Sequence, residues 1–120
     1  MIASRRMFGA AAGLALLFAA GTAAAHHGWS SYDADRPLTV NGTIERVAYD
    51  NPHVAVFVAA ADRTWEVILA PISRMQARGA DAAVVAVGKT IEAYGYPSRE
   101  HDGEIRAERI SIDGRTYELR

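Results

Sequence analysis

Hydrophobic residues form two different patterns along this 120-residue chain. One nearly continuous apolar stretch, rich in Gly, Ala, Leu and Phe, runs from Phe8 to Ala20. From residue 38 onward, apolar and polar residues alternate over short stretches that Gly, Asn, Asp and Pro interrupt. Alternation with a period of two is typical of β-strands with one buried face. The pattern therefore predicts a mainly β domain preceded by a segment of another kind.

The alternating part predicts six short strands and one helix. Gly42 lies inside the first strand and indicates a bulge or a sharp bend there. Pro71 suits the first position of a short helix, and Gly79 suits its end. Asp113-Gly114 favours a tight hairpin between the last two strands. The predicted strands cover residues 38–49, 53–60, 64–70, 90–96, 105–112 and 116–119.

The order of these elements indicates the architecture. Three strands, a helix and two further strands is the element order of the OB-fold, a five-stranded Greek-key barrel. We therefore expect a small OB-like barrel of five to six strands over residues 38–120, with one short helix after the third strand. A small open sheet with one helix packed on it is the alternative. Residues 26–37 form a polar arm before the barrel.

Residues 1–25 resemble a cleaved secretory signal helix. Arg5 and Arg6 precede the apolar stretch, and Ala23 to Ala25 form a small-residue cleavage site. The stretch is too short and too weakly hydrophobic for a membrane anchor, which needs about 20 strongly apolar residues. The string S-R-R-M-F at residues 4–8 resembles a twin-arginine signal, although general secretion stays open. We expect a periplasmic or secreted protein whose mature chain has no membrane span.

Composition and charge narrow the function classes. The chain has no Cys, which excludes a disulfide scaffold, a Cys-based zinc site, an iron–sulfur cluster and a Cys nucleophile. Cleavage would remove two Arg and no acidic residue, so the formal charge would change from −1 to −3. A negative domain is a poor candidate for binding nucleic acid. The serines lack a G-x-S-x-G motif, and an enzymatic role is the least supported by the sequence.

The histidines suggest a transition-metal site. Cleavage after Ala25 would make His26 the first residue, with an α-amine beside its own imidazole. Cleavage one residue earlier would make Ala25 the first residue and His27 the third. The amine, two amide nitrogens and the His27 imidazole would then suit square-planar Cu(II) or Ni(II). His53 follows Asn51-Pro52 and is expected on a rigid turn. We therefore predict a copper ion bound by His26, His27 and His53. Solvated terminal histidines, and a His53 hydrogen-bonded beside its turn, are the alternatives.

Aromatic residues suggest a second kind of site. An OB-like barrel can bind a ligand on an aromatic face, and the partner would be a protein, a saccharide or another small molecule. Trp29 and Tyr32 are also expected to anchor the arm, and Trp65 to belong to the core. His101 is expected to be exposed in a loop. The candidate ligand face comprises Trp29, Tyr32, Asn51, Tyr94 and Tyr96.

Near the C-terminus, Arg and Glu alternate. Glu104, Arg106, Glu108 and Arg109 follow one another closely in the predicted fifth strand. Such alternation is typical of a solvated surface with salt bridges. We therefore expect all four side chains to face solvent.

Several short motifs carry a family resemblance. They are Ala25-His26-His27, Gly42-Thr43-Ile44, Asn51-Pro52-His53, Trp65-Glu66 and Gly95-Tyr96-Pro97. With them, the chain resembles the small exported bacterial family known as domain of unknown function 6152. Val87-Gly88-Lys89 stands where such proteins usually have P-G-D. The resemblance implies a small exported β-rich domain and no assigned activity.

Overall fold

The computed structural model describes residues 28–120. The predicted signal and the pair His26 and His27 lie outside the described residues. A short 3₁₀ turn, Trp29–Ser31, comes first. The strands are β1 Leu38–Ala48, β2 Ala55–Ala60, β3 Thr64–Ile68, β4 Thr90–Pro97, β5 Glu104–Ile112 and β6 Arg115–Glu118, and the helix α1 is Ile72–Ala77.

Five of the strands close into a barrel. β1 is antiparallel to both β2 and β4, β2 to β3, and β4 to β5. The parallel pairing of β3 with β5, in which Val67 lies opposite Ile105, joins the two edges. β6 extends β5 as an extra antiparallel strand. The expected OB-like barrel with one helix after the third strand is confirmed, and the open-sheet alternative is wrong.

The barrel core follows the predicted alternation. The barrel interior contains Val56 and Val58 of β2 and Val54, the residue just before β2, all fully buried. Val67 on β3 faces the same interior, and Met75 of α1 is also fully buried. Burying these aliphatic side chains is the main favourable contribution to folding. Trp65 is only half-buried, and it packs against the edge of this core.

Gly42 lies where β1 pairs with two neighbours at once. It is opposite Ala60 of β2 and Ile91 of β4. A Cβ atom at this position would clash with the carbonyl oxygen of Ala59. The expected bulge is not at Gly42, because the register shift in β1 falls between Ile44 and Arg46. A glycine is required at position 42 because the backbone of Ala59 approaches too closely for a side chain. Close backbone approach is a known reason for glycine within a strand.

Turn chemistry matches the structure at two sites. Asp113 and Gly114 both have positive φ, 53° and 76°, between β5 and β6. Positive φ at both central residues is the geometry that favours Asp-Gly in tight hairpins. Gly79 has φ of 84°, and Ala80 donates its N–H to the carbonyl of Met75 at 2.8 Å. The predicted hairpin and the predicted end of the helix are both confirmed.

The described part of the arm lies against the barrel. Tyr32 forms an isolated antiparallel bridge with Ser98. The N–H of Asp33 donates to the carbonyl of Pro97 at 2.9 Å, and Arg99 donates its N–H to the carbonyl of Ser31 at 2.9 Å. These backbone hydrogen bonds hold the arm beside the β4–β5 loop, where it covers part of the outer surface of β5.

Candidate functional site

A groove of about 500 Å³ lies between the arm, the β1–β2 loop and the β4–β5 loop. We call it the arm groove. In OB-folds, the face of strands 2 and 3 and the loops of these two connections form the ligand side. The arm groove of this protein is lined by Gly28, Ser31, Tyr32, Pro52, His53, Ala55, Glu66, Ile68, Ser98, Glu100, His101, Glu104 and Arg106.

His53 lies in the arm groove at the end of the β1–β2 loop. It is half-buried. Burial lowers the pKa of its imidazole, and the charges of Arg106 and then Arg74 lower it further. A lowered pKa keeps the imidazole neutral at neutral pH, with a nitrogen lone pair free to accept a proton, a hydrogen bond or a metal ion.

The other two predicted metal ligands, His26 and His27, lie outside the described residues. Gly28, the next residue after His27, lines the arm groove together with His53. Within residues 28–120, no three His, Asp or Glu side chains come together as a metal-binding group.

Tyr32, a residue of the arm, is buried, and its hydroxyl points to a carboxylate of β5. The hydroxyl donates a hydrogen bond to Oε2 of Glu104 at 2.9 Å. Burial, followed by the hydrogen bond to Glu104, raises the pKa of the Tyr32 phenol far above its usual value. Tyr32 thus attaches the arm to β5, as expected from the sequence.

Arg106 contradicts the expected solvated surface. It is only 6 % exposed, and its Nε has no hydrogen-bond partner. Glu104, two residues earlier, is occupied by Tyr32 instead of by a basic side chain. The prediction that Arg106 faces solvent is wrong because the arm covers this end of β5. Burial lowers the pKa of its guanidinium.

An aromatic row continues from the arm onto β4. Trp29 packs edge-on against Tyr96 with ring centroids 6.1 Å apart, and Tyr96 packs likewise against Tyr94 at 6.0 Å. The Arg106 guanidinium lies 4.5 Å from the centre of the Trp29 ring, and that of Arg120 lies 4.6 Å from it. The row brings together three of the five residues proposed for the ligand face.

The remaining predicted residues have other surroundings. Asn51 accepts a hydrogen bond on Oδ1 from the N–H of Ile72 at 3.1 Å, so it helps to hold the start of α1. The peptide bond between Asn51 and Pro52 is cis. His101 is exposed, as expected, although it also lines the arm groove.

Sequence reasoning missed Glu66, Glu104 and Arg106 as groove residues. Ile105 and Ala107 are buried in the barrel core, so the alternation along β5 places Arg106 on the outer surface. Alternation carries no information about what covers that surface. The two aromatic residues of the arm were the available signal, because a Trp and a Tyr in a polar segment favour packing against a neighbour.

Comparison with known proteins identifies the fold and the family. The structure is similar to one in the crystal structure of the TiaS–tRNA(Ile2)–ATP complex, with a TM-score of 0.52 and 17 % sequence identity. The similarity covers 74 % of this chain and 20 % of that one, so it concerns the barrel fold alone. No curated protein matches the chain. A family model for a family of unknown function matches residues 14–106, and the chain therefore belongs to the family DUF6152.

Proposed function

We propose that the protein is an exported copper-binding domain whose ligands are His26, His27 and His53. One observation carries this proposal: Gly28, the first described residue, lines the same groove as His53. In the sequence, His27 directly precedes Gly28. The terminal pair and the barrel histidine can therefore meet in one small region.

The chemistry of His53 supports a ligand role. Its burial and the nearby charges of Arg106 and Arg74 favour the neutral imidazole, which is the form that binds metals. The same two cations oppose a divalent ion, whereas Glu66 and Glu104 line the groove with negative charge. Imidazole and amine nitrogens suit Cu(II) best among common divalent metals.

Export is part of the proposal because it creates the terminal amine. It rests on the sequence of residues 1–25, with Arg5 and Arg6 before the apolar stretch and Ala25 at its small-residue end. The protein would then act in the periplasm or outside the cell. Within residues 28–120, no helix is long and apolar enough to cross a membrane.

The test uses secreted protein with its native N-terminus, whose mass fixes the cleavage point. Cu(II) is titrated against free histidine as a competitor, and the visible d–d band is followed. We expect one-to-one binding that weakens at least about tenfold in His27→Ala and in His53→Ala, since each loses a nitrogen ligand. His101→Ala removes a histidine of the same groove that is not one of the proposed ligands, and it should bind as wild type. Binding that is indifferent to both of the first two substitutions would overturn the proposal.

A second candidate function is supported by the aromatic row. Trp29, Tyr96 and Tyr94 form a continuous series of rings on the outer surface of the barrel. Such a surface suits the apolar faces of a saccharide or a protein partner. The test measures binding to a glycan array and to Cu(II). Glycan binding by wild type that is lost in Tyr94→Ala, together with no binding of Cu(II), would favour this function over the first.

A further inference from the structure

Arg106 is a buried cation without a counter-ion among the described residues. It is 6 % exposed, and its Nε–H donates to no acceptor. The basic side chains of the ion pairs found within residues 28–120 are Arg63, Lys89, Arg99, Arg109 and Arg120. A buried charge without a partner is strongly unfavourable, so proteins keep few of them unless they have a use.

Two neighbours of Arg106 add positive charge. Burial lowers the pKa of the guanidinium, Tyr32 raises it, and the like charges of Arg74 and Arg120 lower it. Arg74 donates to the carbonyl of Leu119 at 3.3 Å, and Arg120 reaches Glu108 at 3.5 Å. Glu108 therefore offsets part of the charge of Arg120, whereas the described ion pairs leave Arg106 and Arg74 without a carboxylate partner.

Trp29 fixes the position of this cation. Its ring centre lies 4.5 Å from the guanidinium carbon of Arg106. A guanidinium that lies over a ring uses one face for the contact and keeps its N–H donors for acceptors at its edge. The fixed donors cost little additional ordering when a ligand arrives.

We propose that Arg106 is the anion-binding residue of the arm groove and takes a carboxylate or phosphate group of a small ligand. The guanidinium fork matches the paired oxygens of both groups. The groove gives such a ligand room of about 500 Å³ beside Arg106. Glu66 and Glu104 line the same groove and would repel further negative charge on the ligand. This inference does not rest on copper binding.

The test uses metal-free secreted protein and follows the ¹⁵Nε–H signal of Arg106 by NMR. Inorganic phosphate and acetate are titrated separately, with sodium chloride holding the ionic strength constant. We expect saturable movement of this signal with at least one anion, and the stronger of the two identifies the class of group. Movement that is linear with both anions, or absent, would overturn the proposal, including the case in which the segment before Gly28 already fills the site.

Paired substitutions on one strand assign the binding to Arg106. Arg106→Met should weaken the titrated anion about tenfold or more, because charge-assisted hydrogen bonds are lost. Arg109→Met is the matched control, since Arg109 also lies over a ring, that of Tyr94, at 4.3 Å. Equal affinity in all three proteins would refute the assignment. If Arg106→Met does not fold, Arg106→Lys keeps the charge without the fork and should still bind more weakly than wild type.

Discussion

Arg106 and Arg109 lie three residues apart on β5, and both stack over an aromatic ring, yet their surroundings differ. Arg106 is 6 % exposed and has no carboxylate partner within residues 28–120. The side chain of Arg109 is 42 % exposed and reaches Glu118 at 3.9 Å. The difference comes from the arm, which crosses β5 at one end and leaves the other end open.

We call these regions the covered end, which holds Arg106, Tyr32 and Glu104, and the hairpin end, which holds Arg109 and Glu118. At the covered end, low exposure makes each polar contact costly to lose. At the hairpin end, water and salt screen the charges, so single contacts contribute little. The comparison teaches that residue type and strand membership are poor guides to the energy of a contact, because what covers each end of the strand decides it.

The largest effect is expected at a glycine of the covered end. A Cβ atom on Gly95 would clash with the carbonyl oxygen of Arg106, because two strand backbones meet there. Gly95→Ala should lower the free energy of unfolding by about 3 kcal/mol, measured by urea denaturation. Gly114→Ala, in the open hairpin with φ of 76°, should cost only about 1 kcal/mol. Similar losses in the two variants would contradict the close approach of the two strand backbones at Gly95.

A smaller effect is expected at Tyr32. Removing its hydrogen bond to Glu104 in Tyr32→Phe should cost about 1 kcal/mol at neutral pH. The folded phenol has a raised pKa, whereas the unfolded phenol ionises near pH ~10. The stability that Tyr32 contributes is therefore present below the unfolded pKa and is lost as pH rises toward the folded one.

The measurement is urea denaturation at a series of alkaline pH values. Wild type should lose stability more steeply above pH ~10 than Tyr32→Phe, which has no phenol to ionise at this position. Tyr94→Phe is the control, because it removes a hydroxyl from a half-buried ring next to Arg109. Parallel decline of wild type and Tyr32→Phe would show that the buried phenol contributes nothing to the pH dependence.

The smallest effect is expected at the hairpin end. Glu118→Gln removes the partner of Arg109, an exposed pair separated by 3.9 Å. The change in the free energy of unfolding should stay below about 0.5 kcal/mol, since such pairs are screened by water and salt. A loss larger than that of Tyr32→Phe would mean that the hairpin end is as strongly coupled as the covered end.

Much of the fold could be predicted because local rules agree along the chain. Alternating valines mark β2, Asp113-Gly114 marks the last hairpin, and Gly79 marks the end of the helix. Gly42 predicts a bulge or a sharp bend, but the bulge of β1 lies between Ile44 and Arg46, and the Ala59 backbone is what requires a glycine at position 42. The second strand also begins at Ala55, two residues later than predicted.

The candidate site was only partly predictable. His53 and the arm aromatics stand out in the sequence by type and spacing, and the structure puts His53, Tyr32 and Gly28 around one groove. Asn51 is also predicted to belong to the ligand face, yet its amide oxygen accepts a hydrogen bond from the N–H of Ile72 in α1. Residue type does not reveal whether a polar atom is already occupied, because its partner here lies 21 residues away.

The sequence by itself determined the strand alternation, the turn positions, the order of elements and therefore the barrel, because these depend on residues close together in the chain. Only the tertiary structure decided that the arm crosses the outer surface of β5. That contact joins Tyr32 to Glu104 across 72 positions and encloses Arg106. Burial of a charge depends on everything that surrounds it, so the alternation of Arg and Glu that resembles a solvated surface became the wall of a groove.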